Sequence, residues 1–124
     1  MQVEKITSNN IDVANISANE TVLFDTQSAV DLMMTVNYET GIKNIAVSKD
    51  LIDEKFFILS SGLAGEILQK FTNYQFRIAI YGDFSNYTSK PLKDFIYESN
   101  NGQSVFFTDN LESAIQRLTS TKRI

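Results

Sequence analysis

The sequence predicts a single α/β domain, with a mixed, mainly parallel sheet, an N-terminal β-hairpin and about four helices. Two short strand-like segments, residues 3–7 and 11–16, flank the turn-forming cluster Ser8-Asn9-Asn10, which predicts the hairpin. After it, apolar strand-like segments alternate with segments whose apolar residues recur every three or four positions, as in βαβ units. The 124 residues contain no linker and no repeat, so one domain spanning residues 1–124 is expected.

In the first half of the chain, a helix is predicted to begin after Asp25, a good N-cap residue, and to end at Gly41. Its apolar residues have helical spacing: Ala29, Leu32, Met33 and Val36. Ile45-Ala46-Val47 is an uninterrupted apolar run, which is typical of a buried parallel strand. Residues 50–59 begin acidic and end apolar, and they predict a turn of helix or an irregular connection.

In the second half, a helix is expected from about residue 61 to residue 73, followed by a strand over residues 75–81. Pro91, the only proline, falls in the first turn of the third helix, where its missing N–H does no harm. A strand over residues 104–108 precedes a final helix capped by Asp109. One common core is expected from Ile45, Val47, Ile78, Ile80, Phe95, Ile96, Ile115 and Leu118.

The composition argues against several function classes. A net charge of −4 argues against nucleic acid as a partner, because phosphate-binding surfaces are usually basic. The chain has no Cys, which removes disulfides, thiolate zinc sites and cysteine nucleophiles, and no His, which removes the commonest general base and transition-metal ligand. We therefore expect no metal site, no cofactor and no catalytic residues. No apolar run approaches the ~20 residues of a membrane span, and no signal peptide is recognisable, so a cytoplasmic protein without membrane contact is expected.

The most focused chemistry lies in Leu59-Ser60-Ser61-Gly62, directly before the second predicted helix. A helix start presents unpaired backbone N–H groups and a partial positive charge. That environment suits a capping serine, and it equally suits a phosphoserine or a bound anion. Two interpretations stay open at this point. Ser60, Ser61 and Gly62 either cap the helix alone, or they also form a regulatory or binding site.

A second candidate site is the polar and aromatic loop over residues 83–90, which follows a predicted strand. Its hydrogen-bonding side chains are Asp83, Ser85, Tyr87, Thr88, Ser89 and Lys90. Ligands bind beyond the carboxyl ends of the strands in open parallel sheets, so this loop and the Ser60 turn are expected on one edge. The alternative to a binding role is a surface loop, with Ser89 as a helix cap and Tyr87 as a packed lid.

The order of elements and the turn Ser60-Ser61-Gly62-Leu63 together resemble the STAS domain, the fold of bacterial anti-sigma factor antagonists. In that family a strand leads to a double-serine turn that opens a helix, and a partner kinase phosphorylates the first serine. The resemblance therefore implies phosphorylation at Ser60. The position before it, acidic in that family, is Leu59 here.

A resemblance over more of the chain is to a family of small bacterial proteins catalogued as domain of unknown function 4180. It is carried by residues 63–71, 81–90 and 94–100. It implies a bacterial source and assigns no activity.

The favoured hypothesis is a non-catalytic, regulatory module of STAS-like fold that binds a protein partner through Ser60, Gly62 and residues 83–90. The alternative is a small anionic-ligand-binding protein, or a weak enzyme, that uses Asp83, Tyr87 and Lys90. A homodimer formed through the N-terminal hairpin is also considered. A closed pocket beside residues 83–90 would favour the ligand, and a flat surface would favour the partner.

Overall fold

The computed structural model describes residues 1–120, which form a five-stranded sheet with four helices. The strands are β1 (Gln2–Ser8), β2 (Ile11–Ser17), β3 (Asn44–Ser48), β4 (Arg77–Tyr81) and β5 (Val105–Thr108). The helices are α1 (Thr26–Thr40), α2 (Leu63–Asn73), α3 (Lys90–Asn100) and α4 (Leu111–Ser120). The strands lie side by side in chain order; β1 is antiparallel to β2, and every later pair is parallel. The predicted α/β fold with an N-terminal hairpin is confirmed.

The hairpin closes through a two-residue turn. Asn9 and Asn10 have φ angles of 53° and 63°, which is the left-handed pair that a type I′ turn requires. Asparagine tolerates this conformation better than most residues, which is why the sequence signals the turn. The register runs from Ser8 opposite Ile11 to Gln2 opposite Ser17, so every residue of β1 pairs with β2.

The ends of α1 follow the local sequence. The Asp25 carboxylate accepts a hydrogen bond from the Ser28 N–H at 2.7 Å, and the Asp25 N–H donates to the Ser28 hydroxyl at 3.0 Å, which is a reciprocal capping box. Gly41 ends the helix with a φ of 72°, a conformation that glycine adopts without the strain of a Cβ atom. Both predicted boundaries are confirmed.

The helices divide unequally between the two faces of the sheet. Consecutive parallel strands advance in one direction, so right-handed connections bring α1, α2 and α3 to the same face. The larger core cluster on that face includes residues from all three helices, among them Leu32, Ile67 and Leu92. α4 packs on the opposite face, over a smaller cluster of Val13, Ala46, Ala79, Phe106, Ala114 and Leu118.

The expectation of one common core was therefore wrong for the last helix. Leu118 belongs to the smaller cluster and Ile115 packs against it, whereas Ile45 and Ile78 belong to the larger one. The spacing of apolar residues shows which side of a helix is buried, and it carries no information about which face of the sheet that side covers.

β4 begins at Arg77, two residues later than predicted, because Gln75 has a φ of 62° and belongs to the turn after α2. Arg77 is only 3% exposed and lies under α4. Its Nε donates to the carbonyl oxygen of Gln103 at 2.8 Å, and its Nη1 donates to that of Leu118 at 3.1 Å. A strand covered on both faces buries its polar as well as its apolar residues, provided that the polar groups find partners.

The chain between β3 and α2 forms three short 3₁₀ helices, Lys49–Leu51, Glu54–Phe57 and Leu59–Ser61. The predicted irregular connection is thereby confirmed. Phe56 and Phe57 of the second 3₁₀ helix are buried in the larger core, and Leu23 forms an isolated parallel bridge with Ile52. The connection is consequently anchored to the domain, and it supplies the contacts of both candidate sites.

Candidate functional site

The first candidate site surrounds the start of α2. The helix begins at Leu63, and its N-cap position is held by Gly62 with a φ of 81°. Ser61 stands one residue earlier, where its hydroxyl donates to the carbonyl oxygen of Lys55 at 2.6 Å and accepts from the Leu63 N–H at 3.2 Å. The expected start near residue 61 was therefore two residues early. Ser61 fastens the third 3₁₀ helix to the second and satisfies the first N–H of α2.

Beside Ser61 lies a surface of exposed residues with few internal contacts. Ser60 is exposed, and its hydroxyl takes no part in the hydrogen bonds formed within residues 1–120. The Ile58 side chain is 53% exposed. Gly65 lies in the first turn of α2, and a methyl group there would meet nothing within 4 Å outside its own stretch of helix. We call Ile58, Ser60, Gly62 and Gly65 the α2 surface.

The second candidate site, the loop over residues 83–90, is held by Tyr87. The Tyr87 ring stacks on Phe57 with centroids 4.9 Å apart, and its hydroxyl donates to the Glu54 carboxylate at 3.0 Å. Phe84 packs against both rings, at 6.1 Å from Phe57 and 6.0 Å from Tyr87. The loop is therefore fixed to the second 3₁₀ helix, and that helix also binds Ser61.

Lys49 crosses the base of this loop. A Cβ atom on Gly82 would lie 2.7 Å from Cγ and 2.8 Å from Cδ of Lys49. Any residue with a side chain at position 82 would therefore displace the Lys49 side chain from this position. Gly82 also has a φ of 152°, which residues with a side chain rarely adopt. The Lys49 ammonium lies 5.2 Å from the centroid of the Tyr87 ring, which is a cation–π contact.

Tyr87 is held in its neutral form. Burial, together with the hydrogen bond to Glu54 and the charges of Glu54 and Asp50, raises the pKa of Tyr87 to about 12. A hydroxyl that is bonded to a carboxylate must keep its proton, because the deprotonated oxygen would face a second negative charge. Tyr87 is therefore a hydrogen-bond donor at neutral pH and a poor general base.

We expect the wild-type protein to lose more stability than Tyr87→Phe between pH 10 and pH 12. Tyrosine ionises near pH 10 in the unfolded chain and at about 12 in the folded protein, so its contribution is complete below pH 10 and is lost as the pH rises through that window. Urea unfolding of both proteins at half-unit pH steps measures the difference. Lysine titration affects both proteins alike and cancels. Parallel stability curves would mean that the bond to Glu54 does not form.

Asp83, Ser89 and Lys90 bond to residues close to them in the chain. The Asp83 carboxylate accepts from the Ser85 N–H at 2.9 Å, and hydrogen bonds from the Ser85 side chain and backbone lower the pKa of Asp83. Lys90 forms an exposed ion pair with Asp94 at 2.7 Å, one turn along α3. The Ser89 hydroxyl caps α3 by accepting from the Leu92 N–H, and Thr88 is exposed. Asp83, Tyr87 and Lys90 therefore bond to three different neighbours.

Sequence reasoning missed the residues that join the two candidate sites. Lys49, Glu54 and Phe57 lie in the connection after β3, about 30 positions before the loop that they contact. The one available signal was the adjacent pair Phe56-Phe57, since two phenylalanines in a polar connection indicate an anchor in the core. The carboxylate that accepts from Tyr87 could not be identified without the structure.

Two open surface hollows lie at other places on the molecule. One of about 330 Å³ lies at the carboxyl end of β2 and is lined by Met1, Gln2, Ser17, Ala18 and Asn19. Another of about 340 Å³ lies between the hairpin turn and α4 and is lined by Ser8, Asn9, Glu112, Ile115, Gln116 and Thr119. Within the described part of the chain, no three acidic side chains are grouped to hold a metal ion. No helix there has both the length and the apolarity to cross a membrane.

Comparison with known proteins adds one finding. A family model described as "Domain of unknown function (DUF4180)" matches residues 8–118. The match extends from the end of β1 into α4 and includes both candidate sites. No curated protein and no solved structure matches the chain.

Proposed function

The chain belongs to the DUF4180 family, and we propose that it acts as a non-catalytic regulatory module that binds a protein partner. The partner would contact the α2 surface and the adjoining loop over residues 83–90, both of which are joined to the second 3₁₀ helix. The order of elements and the double serine before α2 support a STAS-like mode of action in the cytoplasm of a bacterium. Membership in the family identifies the domain but assigns no activity to it.

Gly65 is the observation that carries the proposal. Glycine within a helix costs about 1 kcal/mol relative to alanine, because its backbone loses more freedom on folding. Gly62 and Gly82 lie outside the helices and have positive φ angles that favour glycine, but Gly65 has helical geometry and open space where a side chain would lie. Nothing within the described chain requires a glycine there. Close approach by a partner's backbone does require one.

The chemistry of the loop favours binding over catalysis. Tyr87 keeps its proton, and Lys90 is paired with Asp94. The neighbourhood of the Tyr87 hydroxyl is acidic, since Glu54 binds it and Asp50 acts on it electrostatically, which argues against a small anionic ligand. The strands also follow in chain order, so the sheet lacks the point of reversed strand order where doubly wound folds form their ligand crevice.

Ser60 would regulate this contact. Its exposed hydroxyl lies two residues before the N-cap of α2, close to the partial positive charge of the helix start. Phosphorylation would add a charge of about −1.5 to −2 in the middle of the α2 surface, and it would bury no charge inside the domain. A partner that contacts Gly65 would then lie directly beside the phosphate group.

We expect Gly65→Ala to raise the free energy of unfolding by about 0.4–1 kcal/mol and to reduce the recovery of the partner. A variant that is more stable and yet binds less cannot have lost binding through unfolding. The measurement is urea unfolding of the isolated protein, combined with quantitative mass spectrometry of proteins recovered on the tagged chain from its source cells.

Gly102→Ala is the control for the added methyl group. Gly102 lies just beyond α3, and its new Cβ atom would lie 3.3 Å from the Ser99 carbonyl oxygen, so the free energy of unfolding of this variant is measured alongside its partner recovery. Its partner recovery should equal that of the wild type. Ser60→Asp should keep the fold and change recovery of the same partner. If Gly65→Ala recovers as much partner as Gly102→Ala does, the α2 surface is not the contact and the proposal fails.

A further inference from the structure

The outer edge of β1 presents unpaired backbone groups along a full strand. In a two-residue hairpin the residues next to the turn, Ser8 and Ile11, exchange backbone hydrogen bonds, and every second pair repeats this pattern. The N–H and C=O groups of Val3, Lys5 and Thr7 therefore point away from β2. The Asp12 carbonyl oxygen, opposite Thr7, likewise points away from β1 and accepts from Asn44 at 3.3 Å. Apart from those with β2, the backbone of β1 forms no hydrogen bond within residues 1–120.

The opposite edge of the sheet is closed. The side-chain amide of Asn100, at the end of α3, donates to the Phe107 carbonyl oxygen at 3.1 Å and accepts from the Phe107 N–H at 2.8 Å. These are the two bonds that a neighbouring strand would make with Phe107. Asn100 is held in turn by Arg117, which donates to its carbonyl oxygen at 2.6 Å. An asparagine thus blocks β5, and β1 is left as the edge that can accept a strand.

A second copy of the folded chain fits this edge poorly. Two antiparallel β1 strands can form hydrogen bonds only if outward-pointing residues (3, 5 and 7) of one lie opposite outward-pointing residues of the other. The residue numbers of each facing pair must therefore add to an even number. The seven-residue register places Lys5 opposite Lys5, and one of the two five-residue registers places Glu4 opposite Glu4; like charges directly opposite are destabilising. The other five-residue register pairs Lys5 with Thr7, matches neither charge and leaves Val3 without a partner. The arrangement with opposite charges facing each other, Glu4 opposite Lys5, gives residue numbers that add to nine. In it, each outward-pointing residue of one strand lies opposite an inward-pointing residue of the other, so no backbone hydrogen bonds can form between the two strands.

We propose that β1 accepts an extended segment of a partner protein as a sixth, antiparallel strand of the sheet. Such a segment would carry an acidic residue opposite Lys5 and a basic residue opposite Glu4. Apolar residues would lie opposite the half-buried Val3 and Ile6. Backbone hydrogen bonds would supply affinity, and the two charge pairs would select the register. Most of β1 precedes the segment that the family model matches, so the inference concerns this chain in particular. It does not depend on the α2 surface.

A free peptide with the sequence of residues 2–8, Gln-Val-Glu-Lys-Ile-Thr-Ser, is a direct probe. Both edges of a free peptide are open, so it can use the edge that β2 occupies in the folded chain. The odd register then becomes available, and it places the peptide's glutamate opposite Lys5, its lysine opposite Glu4 and its valine opposite Ile6. The control peptide, Gln-Val-Lys-Glu-Ile-Thr-Ser, has the same composition and in that register places like charges opposite both Lys5 and Glu4; any other antiparallel register gives it at most one opposite-charge pair.

Titration of the full chain, followed by amide NMR shifts, tests the proposal. The first peptide is expected to bind about tenfold more tightly than the control, with shifts centred on Val3, Lys5 and Thr7. Exchanging the charges in the protein, with Glu4→Lys combined with Lys5→Glu, should reverse the preference of the two peptides. Equal binding of both peptides, absence of binding, or shifts away from β1 would overturn the proposal. So would a dimer seen by sedimentation that excludes the peptide, because the occupant would then be a second copy. None of these outcomes bears on Gly65.

Discussion

Replacing Ile78 by alanine is expected to lower the free energy of unfolding by about 2–5 kcal/mol. Ile78 is 0% exposed, lies in the interior strand β4, and belongs to the larger core cluster beneath α1, α2 and α3. Removal of its side chain loses the free energy of transfer from water and leaves a cavity. Strands β3 and β5, which flank it on both sides, restrict the collapse of that cavity.

Urea unfolding followed by circular dichroism measures this loss. The control is Val105→Ala, directly opposite Ile78 on β5, which is half-buried and should cost distinctly less. If the free energy of unfolding of Ile78→Ala lies within about 1 kcal/mol of the wild-type value, Ile78 is not buried in the larger core cluster as described above.

Replacing Phe57 by alanine is expected to cost about 3–5 kcal/mol and to release the loop over residues 83–90. The side chain is 4% exposed, and its ring contacts those of Phe56, Phe84 and Tyr87. Without it, the Tyr87 ring loses its stacking partner. The loop keeps the bond from Tyr87 to Glu54, the cation–π contact with Lys49 and the packing of Phe84 on Phe107. Amide hydrogen exchange within residues 84–88 should therefore accelerate more than exchange in the strands.

Phe106→Ala is the matched control for this effect. Phe106 is buried in the smaller cluster under α4, so its removal should cost a similar amount of stability. Amide exchange in the loop should then accelerate only by the factor that the loss of global stability predicts. Equal loop exchange in the two variants would show that Phe57 does not hold the loop in place.

Elements with strong local signals could be predicted from the sequence. Asp25 and Gly41 mark the ends of α1 through capping chemistry, and the Asn9-Asn10 turn is marked by residues that tolerate a positive φ. The boundaries that were missed lie where glycine or a turn shifted the start of an element. α2 begins at Leu63 because Gly62 takes the cap position, and β4 begins at Arg77 because Gln75 closes the preceding turn.

The candidate sites were only partly predictable for a related reason. The double serine and the loop over residues 83–90 were found as segments, because turn and capping residues are recognisable locally. Their hydrogen-bonding partners were not found, since Tyr87 bonds to Glu54 and Asn100 closes the edge of β5 through contacts that only folding creates. The supposed group of Asp83, Tyr87 and Lys90 shares a loop, but each member bonds to a different neighbour.

Residue types and local spacings are enough to predict the alternation of strands and helices, the N-terminal hairpin and the absence of histidine and cysteine chemistry. All of these depend on residue types and on spacings within a few positions. Long-range packing places α4 on the opposite face from the other helices, leaves Gly65 open to solvent, and closes the β5 edge of the sheet, while the β1 edge has no neighbouring strand within residues 1–120. These features arise between residues far apart in the chain, and a local pattern is compatible with several such arrangements until packing selects one.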